Sequence, residues 1–160
     1  MKKSYVLLSA VVLLSAFLTS CSKDEKSDSP SPSQTTGFSV KINGQSFSTD
    51  TANFDIENNM IEIFAAKDNF QNSIVISVDD ITPGTYPFGT ITGISYQKKT
   101  GPSIFDIVFY RGSNKGSLTL TSVDTANKVV GTFNCTVFNI SNANDSLVLT
   151  QGTFSLNREN

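Results

Sequence analysis

The chain of 160 residues contains no histidine, no tryptophan and only two cysteines, and charged side chains make up just 16% of it. Each shortage closes off chemistry. Without histidine there is no Ser–His–Asp or Cys–His catalysis, and no histidine-ligated zinc or haem. Cys21 and Cys135 are too few for a thiolate metal cage. The lack of tryptophan removes the best aromatic platform for a sugar. No Gly-rich phosphate loop precedes a helix, and no basic cluster is interleaved with aromatics, so neither nucleotides nor nucleic acid are expected partners. The longest apolar stretch, Tyr5 to Leu18, falls short of the roughly 20 residues that a membrane-spanning helix needs.

That stretch follows the basic start Met1-Lys2-Lys3 and ends in Leu18-Thr19-Ser20-Cys21. Basic residues, an apolar run and small residues in this order form a secretory signal. The closing tetrapeptide resembles the lipobox of bacterial lipoproteins. The resemblance implies that residues 1–20 are a signal peptide and that Cys21 becomes the lipidated first residue of the mature chain. Cys21 would carry a thioether-linked diacylglyceride and a further acyl chain on its amine. Two or more chains make a stable anchor, so the expected location is the outer membrane, held by lipid and not spanning it. Lys23-Asp24-Glu25 resembles the export signal, a lysine and two acids beside the lipid cysteine, that sends some lipoproteins of Bacteroidetes-type bacteria to the cell exterior. A periplasm-facing protein is the alternative. Losing Lys2 and Lys3 takes the basic residues from 12 to 10 against 14 acids, a net charge of −4 (10 − 14). A net acidic chain has no general attraction to nucleic acid or anionic lipid. Residues 21–36 form the lipidated cysteine and a Ser/Pro-rich tether, which at about 3.1 Å per residue reaches on the order of 45 Å.

From Gly37 to Asn157 the pattern changes to that of one all-β domain, with residues 158–160 as a tail. Helical periodicity is hard to find; period-2 runs with turn punctuation recur. Phe38 to Ile42 leads into Asn43-Gly44, the strongest hairpin signal in the chain, and then Gln45 to Ser48. Pro83-Gly84 is a turn dipeptide that delivers Thr85-Tyr86. Ile104 to Tyr110 reads as a strand with Asp106 on its polar side, Leu118 to Val123 and Val129 to Ile140 flank a loop, and two short strands close the chain. About ten strands at this spacing predict an antiparallel β-sandwich or a flattened barrel. Glycine precedes a hydroxyl and a large apolar residue in Gly84-Thr85-Tyr86, Gly89-Thr90-Ile91, Gly116-Ser117-Leu118, Gly131-Thr132-Phe133 and Gly152-Thr153-Phe154. These glycines are expected at strand starts, with Gly131 marking a bulge.

Lys41-Ile42-Asn43-Gly44-Gln45-Ser46-Phe47, Thr82-Pro83-Gly84-Thr85-Tyr86 and Gly152-Thr153-Phe154 resemble motifs of small uncharacterised all-β lipoproteins of Bacteroidetes-type bacteria. The likeness covers most of the folded part. Its motifs are turns and strand starts, so it implies a fold and no activity.

Candidate sites are correspondingly sparse. The carboxylates Asp55, Glu57, Glu62, Asp79, Asp80 and Asp106 are the remaining route to catalysis, and none sits in a pattern that points to a paired acid and base; an enzyme is not expected. Oxygen ligands at Asp55, Glu57, Asn58 and Asn59 and at Asp79-Asp80 lack EF-hand spacing, so no metal and no cofactor is expected. Cys135, in a Val/Phe/Thr run, is expected as a small buried apolar residue. Tyr86, Tyr96 and Tyr110 are candidate ligand contacts, although tyrosines in sheets more often pack. Phe70, alone among polar loop residues, either folds back onto the core, the favoured expectation, or presents to a partner. Asp50-Thr51-Ala52, Asp124-Thr125-Ala126 and Asp145-Ser146-Leu147 resemble the acceptor used for O-glycosylation of exported proteins in the same bacteria, which makes Thr51, Thr125 and Ser146 candidate acceptors, all in predicted loops. The expectation is a lipid-anchored, non-enzymatic binding or adhesion module whose partner is a surface protein or glycan. The alternative is a carrier that encloses a small apolar ligand in a barrel cavity lined by some of its twelve phenylalanines.

Overall fold

Alternation of buried and exposed side chains, as in Ile61, Ile63 and Ala65 against Glu62 and Phe64, sets one face of each strand toward a shared interior. The structure is a computed structural model that describes residues 36–158. The signal peptide 1–20, the lipidation position Cys21, Lys23-Asp24-Glu25 and nearly all of the tether lie outside the described residues.

Ten strands follow in order: β1 (Gly37–Ile42), β2 (Gln45–Thr49), β3 (Ala52–Glu57), β4 (Met60–Lys67), β5 (Asn72–Val78), β6 (Gly84–Pro87), β7 (Thr92–Lys99), β8 (Ile107–Asp124), β9 (Lys128–Asn139) and β10 (Asn142–Asn157). They form one antiparallel sheet in the order β2-β1-β10-β9-β8-β7-β5-β4-β3, with β6 paired to the second half of β8. The all-β expectation holds, and of its two forms the observed one is a single sheet curled into a half-barrel. The two edge strands, β2 and β3, are consecutive in sequence and joined only by Asp50-Thr51. At that corner Thr49 Oγ1 donates to the Ala66 carbonyl at 2.6 Å, and the Ala66 amide donates to the Thr51 carbonyl at 3.0 Å. The curl therefore brings its own two edges together, which leaves less unpaired backbone exposed there.

Turn chemistry fixes the hairpins. Asn43 and Gly44 both take positive φ (47° and 82°), as a two-residue primed turn requires, and Asn43 Oδ1 also accepts the Val148 amide at 2.8 Å. Asn58 and Asn59 do the same between β3 and β4.

The centre of the sheet explains the recurring Gly-hydroxyl-apolar theme. In the β9–β10 pair, Gly131 lies opposite Phe154, Thr132 opposite Thr153, and Phe133 opposite Gly152. The two Gly-Thr-Phe segments are thus reciprocal. A Cβ on Gly152 would lie 2.5 Å from the Phe133 ring, and one on Gly131 would collide with the Phe154 ring and the Thr119 carbonyl. Each glycine is the seat of the other segment's phenylalanine. Phe133 continues to Phe38, 5.4 Å between ring centroids, and Phe38 to Phe47 at 6.1 Å, edge-on. Phe38, Phe47, Phe54, Phe88, Phe133 and Phe154 are all buried in the core, each worth roughly 1.5–3 kcal/mol of burial.

Four expectations about the strands need correction. The chain closes not on two short strands but on one, β10, which runs from Asn142 to Asn157. The glycines of β9 and β10 are not strand starts; they stand inside long strands. The irregularity beside Gly131 is in β8, where the pairing shifts between Leu120 and Ser122. The strand expected from Ile104 begins instead at Ile107, because the Asp106 carboxylate accepts the Ser103 amide at 2.8 Å and Ser103 Oγ accepts the Phe105 amide at 3.2 Å. Those local bonds make residues 100–106 a loop, in which Asp106 is a turn residue and not the polar side of a strand.

Gly152→Val is expected to destabilise the fold by about 1–3 kcal/mol through collision with the Phe133 ring. The double variant with Phe133→Leu should recover part of that loss, measured by urea unfolding as a double-mutant cycle. Strictly additive losses would show that Phe133 is not seated on Gly152.

Candidate functional site: the loop end of the sheet

The sheet has two ends of different character. At one, Gly37 pairs with Ser155 and Asn157 with Lys128, so the chain joins the sheet and leaves it side by side. At the other lie the Asn43-Gly44 hairpin tip, the β4–β5 loop, the β7–β8 loop and the β9–β10 turn. Hydrogen bonds tie these together: the Lys99 amide to the Gln71 carbonyl at 2.7 Å, the Ile140 amide to the Phe109 carbonyl at 3.0 Å, and the Asn43 amide to the Val148 carbonyl at 2.9 Å.

A hollow of about 380 Å³, half-open to solvent, lies here between the hairpin and the ends of β4, β5, β7 and β8. Tyr96 and Tyr110 form part of its wall, with ring centroids 5.9 Å apart. Both rings are buried, so they are flooring and not exposed platforms. Each hydroxyl has a partner: Tyr96 donates to Asn72 Oδ1 at 3.0 Å, and Tyr110 donates to Asp145 Oδ2 at 2.9 Å. Asn72 is held in turn by Asp68 Oδ2 at 3.0 Å, and Asn139 donates to Asp145 at 2.9 Å. Burial first, then the Asp145 hydrogen bond and charge, pushes the Tyr110 hydroxyl pKa up; burial and then the Asp68 charge do the same for Tyr96. Asn139, followed by Tyr110, holds the Asp145 carboxyl below its ordinary value. Lys67 and Lys98 stand on the rim and make no ion pair among the described residues.

The other sequence candidates lie elsewhere. Tyr86 is buried in β6, and its hydroxyl is committed to its own turn, donating to the Thr82 carbonyl at 2.6 Å. Asp80 Oδ1 closes that turn by accepting both the amide and the hydroxyl of Thr82 at 2.8 Å. Thr82-Pro83-Gly84-Thr85-Tyr86 is therefore a structural corner. Phe70 does not fold back onto the core. It is 61% exposed and stacks on Phe64, 6.0 Å between centroids, on the outer face of β4. Asp68, Asn69 and Phe70 all have positive φ, which is costly for a phenylalanine and persists because bonds from Gln71 and Asn72 to Asp68 hold the loop. Nothing in the sequence pattern marked Phe64 as its partner.

Thr51 and Thr125 are exposed in the β2–β3 link and the β8–β9 turn. Ser146 is not in a loop: it is half-buried within β10 and pairs with Phe138. The Asp124 carboxylate accepts the Ala126 amide at 3.0 Å and the Asn127 side-chain amide at 2.9 Å, so Asp124-Thr125-Ala126 is in the first place an Asx turn.

A second hollow of about 360 Å³ opens where β7 parts from β8 beyond the Ser95–Arg111 pair. The buried Thr92 hydroxyl beside it has no hydrogen-bond partner. Among the described residues no three carboxylate or thiol groups converge as a metal site would need. Cys135 is buried in β9, and burial alone pushes its thiol up to about 12, far from a nucleophile at neutral pH.

Two outcomes follow from these environments. Cys135 should resist thiol reagents in the native protein and react at once in urea, followed by mass spectrometry. Asp80, Asp124 and Asp145 all have carboxyl pKa values held below 3.8 by hydrogen bonds. A carboxylate with a depressed folded pKa stabilises the fold at pH above its unfolded value, and that contribution is lost as pH falls through the folded one. Urea midpoints should therefore be flat above the ordinary carboxylate range and drop below it, and Asp145→Asn should make the acid limb shallower.

No curated protein and no solved structure matches the chain. One family model does, over residues 34–156, which takes in every core residue described above and all ten strands but for Asn157 at the end of β10. The chain belongs to that family, a domain of unknown function, DUF6252.

Proposed function

We propose that the protein is a lipid-anchored, non-enzymatic binding module of the outer membrane, displayed toward the cell exterior, and that the loop end of its sheet is the surface that meets a partner. The observation that carries this is polarity along the sheet. The chain joins the sheet at Gly37, and the loop end is the opposite end of the strands. At that opposite end four loops converge, with exposed Phe70, Ile104, Phe105 and Ile140 and the tyrosine-floored hollow. Functional residues concentrate in loops positioned by a rigid scaffold. Display is favoured over carriage of an apolar ligand because the interior phenylalanines pack against one another and against glycine seats.

Palmitate-analogue labelling in the cells that make the protein tests the anchor. The wild type should incorporate the label and Cys21→Ala should not. External protease should cut the tether in intact cells; cutting only after permeabilisation would place the protein in the periplasm. Native mass spectrometry of the gently purified protein should show no small ligand, and a reproducible added mass lost on unfolding would replace display with carriage.

A further inference from the structure

Among the described residues seven large apolar side chains are exposed, and all but Ile91 lie at or beside the loop end: Phe70, Ile104, Phe105, Phe109, Ile140 and Val148. The β7–β8 loop carries the two most exposed of them, Ile104 at 73% and Phe105 at 87%. This is a held projection and not a frayed one. The Thr100 amide donates to the Asp106 carbonyl at 2.7 Å, and the Asp106 carboxylate pins Ser103.

The loop runs directly into an outer sheet face of the same character. Ile107 lies opposite Lys99, Phe109 opposite Gln97, and Arg111 between Ser95 and Phe138. Ile140 adjoins Phe109 through its backbone bond, and the Lys115 ammonium lies 6.0 Å from the centre of the Phe138 ring. The strip thus combines apolar side chains with Lys99, Arg111 and Lys115. Lys99 and Arg111 form no ion pair among the described residues. Two carboxylates lie near these three cations, Asp106 bonded within its own loop and Asp145 bonded to Tyr110 and Asn139. The chain is acidic overall, but its charges are segregated: Asp55, Glu57, Glu62, Asp79, Asp80 and Asp124 lie on strands and turns away from this strip.

We infer that this strip, led by Ile104 and Phe105, docks on an anionic lipid surface. The inference rests on the reading of the loop end as the binding surface and names what it meets. A projecting apolar tip flanked by cations is the arrangement of interfacial binding: the tip enters the acyl boundary while Lys and Arg stay at the level of anionic headgroups. The tip side chains are largely exposed, and a bilayer takes up such groups without a complementary pocket, which favours lipid over a protein partner.

The test is flotation with vesicles of zwitterionic phosphatidylcholine, alone or with about one third anionic phosphatidylglycerol. Every strand and every core residue lies between Gly37 and Asn157, so the chain from Ser22 to Asn160 keeps the complete sheet without a lipid on Cys21. That chain should float with the anionic vesicles, and added salt should weaken the binding. Ile104→Ser with Phe105→Ser should reduce partitioning about tenfold or more. Lys99→Glu with Arg111→Glu should reduce it at least about fivefold on anionic vesicles only. Unchanged urea midpoints would show that the variants fold. Equal binding to both vesicle types, or flotation that survives either pair of substitutions, would overturn the inference. So would a salt-independent dimer, seen by light scattering, that is lost in the loop variant and leaves no lipid binding, because the strip would then be an interface between copies. Failure of flotation leaves the Cys21 labelling result untouched, so the two readings fail separately.

Discussion

The structure turns on the antiparallel interlock of Gly131-Thr132-Phe133 with Gly152-Thr153-Phe154. Between β9 and β10 each phenylalanine faces a glycine and not another large side chain. Setting each ring over a glycine lets the bulk of one strand occupy the vacancy of the next. Phe133 and Phe154 can then lie within 6.5 Å of each other and still reach across to Phe38. β10 and β9 are the third and fourth of the nine strands in this order, and their curvature is passed outward to β1 on one side and β8 on the other. The same economy recurs beyond them. Gly112 makes room for Ile94, and Gly116, at φ 112°, for the β9 backbone, where a Cβ would collide with the Asn134 carbonyl. These two glycines bracket the register shift at which β8 exchanges its neighbour β7 for β6.

Curling has a second consequence. Strands that bend around one interior bring their edges toward each other, and here the chain passes from one edge to the other through Asp50-Thr51 alone. That link could not span a flat sheet of this width. The ordering of strands and the degree of curl are thus one constraint: the short connection is possible only because the centre bends, and it holds the bend once made.

Much of this architecture was legible in the sequence, and what was legible was local. Asn43-Gly44 gave its hairpin, and Thr82 to Tyr86 its turn, because such signals act within a few residues. The Gly-hydroxyl-apolar theme was visible too, but its meaning was not. A glycine's partner is set by register with a strand some twenty residues away, and period-2 patterns do not carry register. The boundary of β8 was misjudged because Ile104 and Phe105 look like strand residues. The Ser103 and Asp106 bonds that divert them compete with the ladder only once the fold supplies the alternative. For the candidate site, residue type singled out Tyr96 and Tyr110, which the fold brings together, and equally Tyr86, which it does not. Phe70 was conspicuous by its polar neighbours, whereas Phe64, on which it stacks, looked like any strand aromatic.

The difference between the two ends of the sheet links fold to proposed role. A half-barrel buries one face of every strand, so a surface for partners must come from loops or from the outer face. At the Gly37 end the turns are largely self-satisfied: Asp80 caps Thr82, Asp124 caps Ala126 and Asn127, and Arg158 donates to the Thr125 carbonyl and faces Asp55 at 3.5 Å. At the other end Asp68, Asp106 and Asp145 are spent on holding loops, while Lys67, Lys98, Lys99 and Arg111 are left without ion-pair partners among the described residues. The cations outnumber the carboxylates there, and the carboxylates are bound within loops while Lys99 and Arg111 lie next to Ile107 and Phe109 on β7 and β8. The net charge of the chain conceals this, because charge summed over a molecule says nothing of where each sign stands relative to the sheet. An apolar, cationic surface at the loop end is an arrangement in which the scaffold contributes rigidity, the turn carboxylates contribute loop shape, and the exposed side chains between them are placed for the proposed contact.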